Sequence, residues 1–286
     1  MKHSTHWQVP AIQRQQLGNL SVTIISDGYL EGSFSNLNGI DAHRAESVLA
    51  DNGVSCLPRM NINVCVIEYA GRTILIDSGT GANDGASGQL QDALAAAGID
   101  PLQIDTLLLT HAHPDHIGGV ADAAQKSLFA NVQQLWVHEK ELAFWRDENV
   151  YTRGTEHFKR LSRIACHAFN TWDDRLVTFR QEDILPGIQA VPLFGHTPGH
   201  CGFLLGNERA SLLIWGDIVH FPHIQITHPE VSVSYDFDPA QAAKTRLALL
   251  DRVSADNLSV CGMHFNLPST ASITRRGNGY ALHYAM

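Results

Sequence analysis

The chain has little of what marks several common protein classes. Basic charge is scarce: 20 lysines and arginines face 29 aspartates and glutamates, a formal net charge of −9. The nearest approach to a basic stripe is Arg275-Arg276, too short to follow a phosphate backbone, so no nucleic-acid partner is expected. The five cysteines (Cys56, Cys65, Cys166, Cys201 and Cys261) are odd in number and scattered, with no CxxC pair. That excludes a disulfide framework and reads as reduced, mostly buried thiols of a cytoplasmic protein. No uninterrupted apolar run approaches the ~18 residues a membrane-spanning helix needs, and the opening residues lack a signal-peptide core, so no membrane contact is expected. Linkers, charge blocks and low-complexity runs are also missing. Residues 1–286 therefore read as one domain, with 1–19 as an N-terminal arm, 20–265 as the body and 266–286 as a tail.

Histidine, by contrast, is abundant: 16 imidazoles, nearly as many as all lysines and arginines together. Such an excess points to metal or proton chemistry before any motif is read. With 44% hydrophobic and 17% charged residues, the chain can bury a full core without staples.

Strands and helices alternate along it. Residues 20–26 read as a strand ending at Asp27-Gly28, and 63–69 with 72–77 as a hairpin turning at Ala70-Gly71. A glycine-rich loop follows from Gly79 to Gly88, without a phosphate-binding pattern, and a helix with Leu90 and Leu94 on one face stops at Gly98. Residues 105–109 form a short buried strand. Helices are expected at 139–147 and 155–169, strands at 188–193, 202–206, 211–216 and 258–261, and a helix at 239–251 behind Asp238-Pro239. This pattern places the chain in the α/β class, as layered sheets with helices outside.

The strand at 105–109 runs directly into His111-Ala112-His113-Pro114-Asp115-His116, four potential metal ligands within six residues. A turn leaving a strand end can aim His111 and His113 to one side while Asp115 and His116 face another. Each metal then needs further ligands from elsewhere, because one short turn cannot complete a coordination shell. A polar loop with incidental histidines is the ordinary alternative, and the buried strand before the motif and Gly118-Gly119 after it argue against that.

The sequence resembles the metallo-β-lactamase superfamily. Its HxHxDH signature is complete at 111–116, and Asp77 in ILIDSG, His196 in GHTPGH, Asp217 in WGDIVH and His264 in CGMH follow in the family's order. The resemblance implies an αββα sandwich with a dinuclear metal cleft at one edge of the two sheets. It implies that His111, His113 and His196 hold one metal, that Asp115, His116 and His264 hold the other, and that Asp217 bridges them. Two divalent ions are implied; zinc is favoured, and iron, manganese or cobalt suit the same donors. Asp77 either orients a ligating histidine, as the resemblance implies, or caps the Gly79-Thr80-Gly81 turn. His200 is expected to brace the ligand loop.

Within the superfamily the chain resembles the N-acyl-homoserine lactonases and methyl-parathion hydrolase. The residues carrying this are Ile25-Ser26-Asp27-Gly28, Gly195 to His200, and Gly216-Asp217 through Gln225, Pro229 and Asp236. The lactonases place a tyrosine three residues after the bridging aspartate; here that residue is His220, either catalytic or structural. The implied activity is attack by a bridging hydroxide on a small, largely neutral lactone or ester, with Asp115 or His220 moving the proton. The alternatives are a phosphotriesterase, a glyoxalase-II-like thioesterase and a mononuclear-iron persulfide dioxygenase. Leu57, Met60, Phe144, Trp145, Phe221 and His223 are candidates for the pocket wall, although aromatics at helical spacing also serve as core. The small-molecule substrate is the expected partner, and the arm and tail are candidate contacts of a homodimer.

Overall fold

The computed structural model describes residues 12–54, 59–81, 85–122, 126–181, 183–207 and 210–285. Two sheets of seven strands face each other. The first runs, in spatial order, Ile12–Leu17, Leu20–Glu31, Arg59–Tyr69, Arg72–Ile76, Ile104–Leu108, Gln134–His138 and Leu176–Phe179. Its early strands pair antiparallel and its last four parallel. The second runs Gly279–Tyr284, Thr270–Arg276, Ser259–Cys261, Ala210–Ile214, Cys201–Asn207, Ile188–Pro192 and Asp183–Leu185.

Strands buried on both faces explain the near-continuous apolar runs in the sequence. Cys65, Ile67, Ile74 and Ile76 point inward and meet Phe203, Leu205, Leu212 and Ile214 of the opposing sheet. Their neighbours Val64, Val66 and Leu75 point outward beneath Leu90, Leu94, Ile117, Trp145 and Phe169 of the covering helices. On the far side, Leu249, Leu250 and Val253 of the Pro239–Ala255 helix cover Leu213, Trp215 and Val260. Helix, sheet, sheet, helix is the αββα sandwich.

The sequence reading and the structure differ at the ends. Ile12–Leu17 pairs with residues 20–25 as an edge strand, and Thr270–Arg276 with Gly279–Tyr284 extends the second sheet. The sandwich therefore reaches beyond 20–265 on both sides, because each end supplies alternating residues that find an open sheet edge. The strand beginning at Leu20 also continues to Glu31, through a register shift at Ser26/Gly28 that hides the alternation there. At the hairpin, Ala70 (φ 50°) and Gly71 (φ 79°) are both left-handed, as a two-residue primed turn requires.

The four described cysteines are free, and all but Cys166 are buried. No described helix is long and apolar enough to cross a membrane.

Asp27, fully buried, organises the 79–88 loop: its Oδ2 accepts from the Thr80 and Gly88 amides at 2.9 and 3.2 Å. Its Oδ1 has no hydrogen-bond partner among the described residues. Burial pushes its pKa up to about 6 against the opposing pull of those amides. The folded chain thus holds this proton more tightly than the unfolded chain, so the group's contribution to stability falls as pH rises from about 4 to about 6. Asp27→Asn is expected to remove that fall. Urea titrations at both ends of the window should show wild type losing up to about 3 kcal/mol relative to the variant; parallel curves would refute the assignment.

Candidate metal centre

Each candidate ligand leaves the C-terminal end of a strand at the same edge of the sandwich. The Ile104–Leu108 strand delivers His111 and His113, and Pro114 then starts a helix, Pro114–Ala121, that carries Asp115 and His116 in its first turn. The HPDH segment is thus the start of a helix rather than an open turn. That helix lies directly on the loop after Asp77: a Cβ on Gly118 would come within 2.1 Å of Thr80 O, and one on Gly119 within 2.2 Å of Ser78 O. The Ser78 amide and hydroxyl both donate to the His116 carbonyl. His196 follows the Ile188–Pro192 strand, Asp217 follows Ala210–Ile214, and His264 follows Ser259–Cys261.

The fold gathers these residues into two groups that share Asp217: His111, His113 and His196 in one, and Asp115, His116 and His264 in the other. Within each group the donor atoms lie within 4.8 Å of one another. Asp217 Oδ2 is 3.0 Å from His264 Nε2, 3.5 Å from His196 Nε2 and 3.7 Å from His111 Nε2, while its Oδ1 is 3.1 Å from His116 Nε2.

The donor set fits divalent cations. His116, His196 and His264 each spend Nδ1–H on an outer acceptor: Asp77 Oδ2 at 2.8 Å, Asp236 Oδ1 at 2.8 Å and the Asn61 carbonyl at 2.7 Å. Thr110 donates to Asp77, so its hydroxyl oxygen accepts from His111 Nδ1 at 3.1 Å. All four rings therefore turn Nε2 inward, and His113 adds Nδ1 within 3.0 Å of two of them. His116 Nε2 and Asp217 Oδ1 are buried without a hydrogen-bond partner. Buried lone pairs facing one another are costly unless a cation fills the space.

The electrostatics agree. Burial holds His111 and His113 well below the usual imidazole range. Burial also opposes charge on His116 and His264, yet neighbouring carboxylates, Asp217 foremost, outweigh it and raise both. Asp217, despite its own burial, is held well below the carboxylate range by His116 and His264. Such a site draws positive charge to its centre.

A second layer fixes the first. Asp77 accepts from His116 and from the Thr110 amide, so it orients a ligand, while the loop after it is capped by Asp27. His200, fully buried, donates Nδ1–H to the Leu193 carbonyl and accepts the Asp217 amide on Nε2 at 2.8 Å. Burial lowers its pKa to about 3, so it stays neutral for both bonds. The sequence reading missed Glu141. Its buried carboxylate accepts from the Ala112 and Gly199 amides, Thr197 Oγ1 and Trp145 Nε1, tying the two histidine loops together. A lone glutamate on an amphipathic helix carries no local signal of that role. Asp236 stood within the resemblance but without a role; it is the partner of His196.

Two cavities open beside this centre. One, of about 400 Å³, is lined by Leu30, Met60, Leu161, Asp115, His220 and Tyr235 among others. The second, of about 490 Å³, is lined by Phe144, Trp145, Phe158 and Phe237, and shares His113, His157, Leu161 and Tyr235 with the first. Met60, Phe144, Trp145 and His220, all candidates from the sequence, thus line these cavities. Phe221 and His223 do not. The Gln225 side chain accepts the His220 and Phe221 amides, and Phe221 is buried in an apolar cluster with Leu37, Val48 and Met60, lining neither cavity. His223 lies on the Pro222–Gln225 helix beside Tyr284 and lines neither cavity. Leu57 lies outside the described residues.

The chain belongs to the metallo-beta-lactamase superfamily, whose family pattern matches residues 57–264, the greater part of its length. Its structure is similar to that of the hydrolase AbOPH in the beta lactamase superfamily, with a TM-score of 0.90 and 26% identity over 98% of this chain and 99% of that one. AidC, a dizinc quorum-quenching lactonase in complex with a product, N-hexanoyl-L-homoserine, shares the fold with a TM-score of 0.89 at 23% identity, over 97% and 98% of the two chains. Among curated sequences, ribonuclease Z of Aeropyrum pernix is 37% identical over 70 residues, 24% of this chain and 20% of that protein. Hydroxyacylglutathione hydrolase of Saccharophagus degradans is 25% identical over 161 residues, 55% of this chain and 51% of that protein. The matches thus span about a fifth to half of these curated relatives.

Removing an outer acceptor should loosen one metal selectively. Asp77→Asn is expected to weaken binding of the metal held by His116 about 10- to 100-fold, and Asp236→Asn to do the same at the His196 site. Chelator competition with zinc, following stoichiometry per chain, reads this; two unchanged affinities would refute it.

Proposed function

We propose that the protein is a dinuclear metal-dependent hydrolase of small, largely neutral lactones or esters. The observation that carries this reading is the seven-residue donor cluster opening onto a small cavity walled by Leu30, Met60 and Leu161. Divalent cations, zinc foremost, supply Lewis acidity and a water acidic enough to act as nucleophile near neutral pH. Seven residues would hold them: His111, His113 and His196 on one side, Asp115, His116 and His264 on the other, with Asp217 between.

The chain's own groups position the reaction and move its proton. Asp115 lines the cavity, with its Oδ2 3.5 Å from His116 Nε2 and 3.6 Å from His264 Nε2. His220 Nε2 lies 3.1 Å from Asp217 Oδ2, and its ring stacks on that of His264 at 5.1 Å. Burial lowers its pKa to about 4, and its place in the cavity beside Asp217 puts it within reach of the leaving alkoxide as a proton relay. His220 thus takes a proton-transfer role at the position where the lactonases carry a tyrosine. The apolar lining and the net charge of −9 favour a neutral small molecule over a polyanion.

The test is one panel on one preparation: homoserine lactones, aryl esters, aryl phosphotriesters and an acylglutathione thioester, with zinc-loaded and chelator-stripped protein. Lactone or ester hydrolysis that requires about two metals per chain is expected. Full activity after stripping, or turnover of the thioester alone, would overturn the reading. His220→Phe should lower kcat about 100-fold; an unchanged kcat and pH profile would leave His220 structural.

A further inference from the structure

Tyr235 stands where the two cavities meet, and it lines both. Its ring meets the His220 ring at 4.9 Å between centroids and the His196 ring at 6.2 Å, edge-on in each case. Its hydroxyl donates to Met60 Sδ at 3.2 Å, its one hydrogen bond among the described residues. A thioether is a weak acceptor, so a carbonyl oxygen arriving in the cavity offers the hydroxyl a better partner at small cost.

The tyrosine is also held in place before any substrate arrives. On its N-terminal side, the Ser234 amide donates to the Asn36 carbonyl at 2.8 Å. On its C-terminal side, the Asp236 amide donates to Val233 O and the Phe237 amide to His196 O, at 3.0 and 2.9 Å. The Asp236 carboxylate accepts a hydrogen bond from His196 Nδ1–H at 2.8 Å. The segment that carries Tyr235 is thus tied directly to a candidate ligand, and a donor fixed in this way need not reorganise as charge develops.

The cavities on either side differ in chemistry. The one toward Leu30 and Met60 reaches Asp115, Asp217 and His264. The other is aromatic: Phe144 packs against Phe237 at 4.7 Å, Phe158 stacks on Trp145 at 5.5 Å, and Phe237 remains 56% exposed at the rim.

We propose that the Tyr235 hydroxyl donates a hydrogen bond to the reacting carbonyl group of the substrate, seated at the fork so that one substituent of the ester lies in each cavity. The inference rests on the ester or lactone reading above and refines it. The substrate has apolar groups on both sides of the carbonyl, one of them an acyl chain or aryl group that fits among Phe144, Trp145, Phe158 and Phe237. Tyr235 would be a donor to the substrate and carry no covalent step.

Tyr235→Phe keeps the ring and deletes the hydroxyl. Zinc-loaded wild type and variant should be compared on p-nitrophenyl esters from acetate to octanoate, with metal content and thermal stability measured on both. The variant is expected to keep its metals and stability and to lose about 10- to 100-fold in kcat, equally at every chain length. Binding of octanoate, followed calorimetrically, should weaken about fivefold. Equal kcat and equal octanoate binding in an active pair would overturn the role of Tyr235 and leave the hydrolase reading standing. An effect confined to KM and growing with acyl length would also overturn it, marking Tyr235 as cavity wall alone. Wild type inactive on every ester and lactone would overturn the hydrolase reading first, and this inference with it.

Discussion

The Asp217 carboxylate is 2% exposed and has five imidazole nitrogens within 3.7 Å. Much of the cleft follows from keeping it there. A buried carboxylate costs several kcal/mol unless charge and hydrogen bonds compensate it. Here the compensation comes from residues on both sheets. His111 and His116 follow strands of the first sheet, and His196, His220 and His264 follow strands of the second. The cleft exists only while the sandwich holds its two edges in register.

That register is maintained by polar contacts just outside the donor cluster. Asn61 and Asn63, on a strand of the first sheet, reach across to carbonyls at 262 and 265 in the loop after the Ser259–Cys261 strand of the second, and the His264 ring donates to the Asn61 carbonyl. Glu141 joins the two histidine loops through three hydrogen bonds, from Ala112, Thr197 and Gly199. Arg246, almost fully buried, donates to the carbonyls of Ile218, Pro229 and Val231, bracing the segment between Asp217 and Asp236. Each of these groups is polar, buried and partnered across long sequence separations. They give the site a single geometry where an apolar core would only give it mass.

The two cavities give the candidate metal centre different surroundings on its two sides. Toward Leu30 and Met60 aliphatic side chains share the wall with Asp115, Arg160 and His220; toward Phe144 and Phe237 the wall is largely aromatic. Membership of the superfamily accounts for the donor cluster and the sandwich. The walls draw on several segments, among them the 139–145 and 156–171 helices and the 234–237 loop. Substrate choice is a property of these local segments, because small differences in apolar contact and in one or two donors separate related substrates.

All seven candidate ligands were legible in the sequence, because strand ends next to glycines carry the motifs and the order of the motifs is itself informative. The Ala70-Gly71 hairpin and the inner strands were legible for a similar reason: turn chemistry and apolar runs are local signals. What was not legible is non-local. Glu141 is one acidic residue on a helix until Ala112, Thr197 and Gly199 arrive around it from distant positions. Tyr235 has no motif, yet the fold sets it against His220 and His196. Phe221 and His223 read as pocket residues from their nearness to Asp217, and the Gln225 turn sends them elsewhere. The sequence by itself marked the 111–116 turn and the strands around it, through residue type and spacing, and its resemblance to the superfamily pointed to His196, Asp217 and His264 as further candidate donors. Only the tertiary structure decided which groups brace the site and which line it, because those contacts join side chains that are neighbours in space and strangers along the chain.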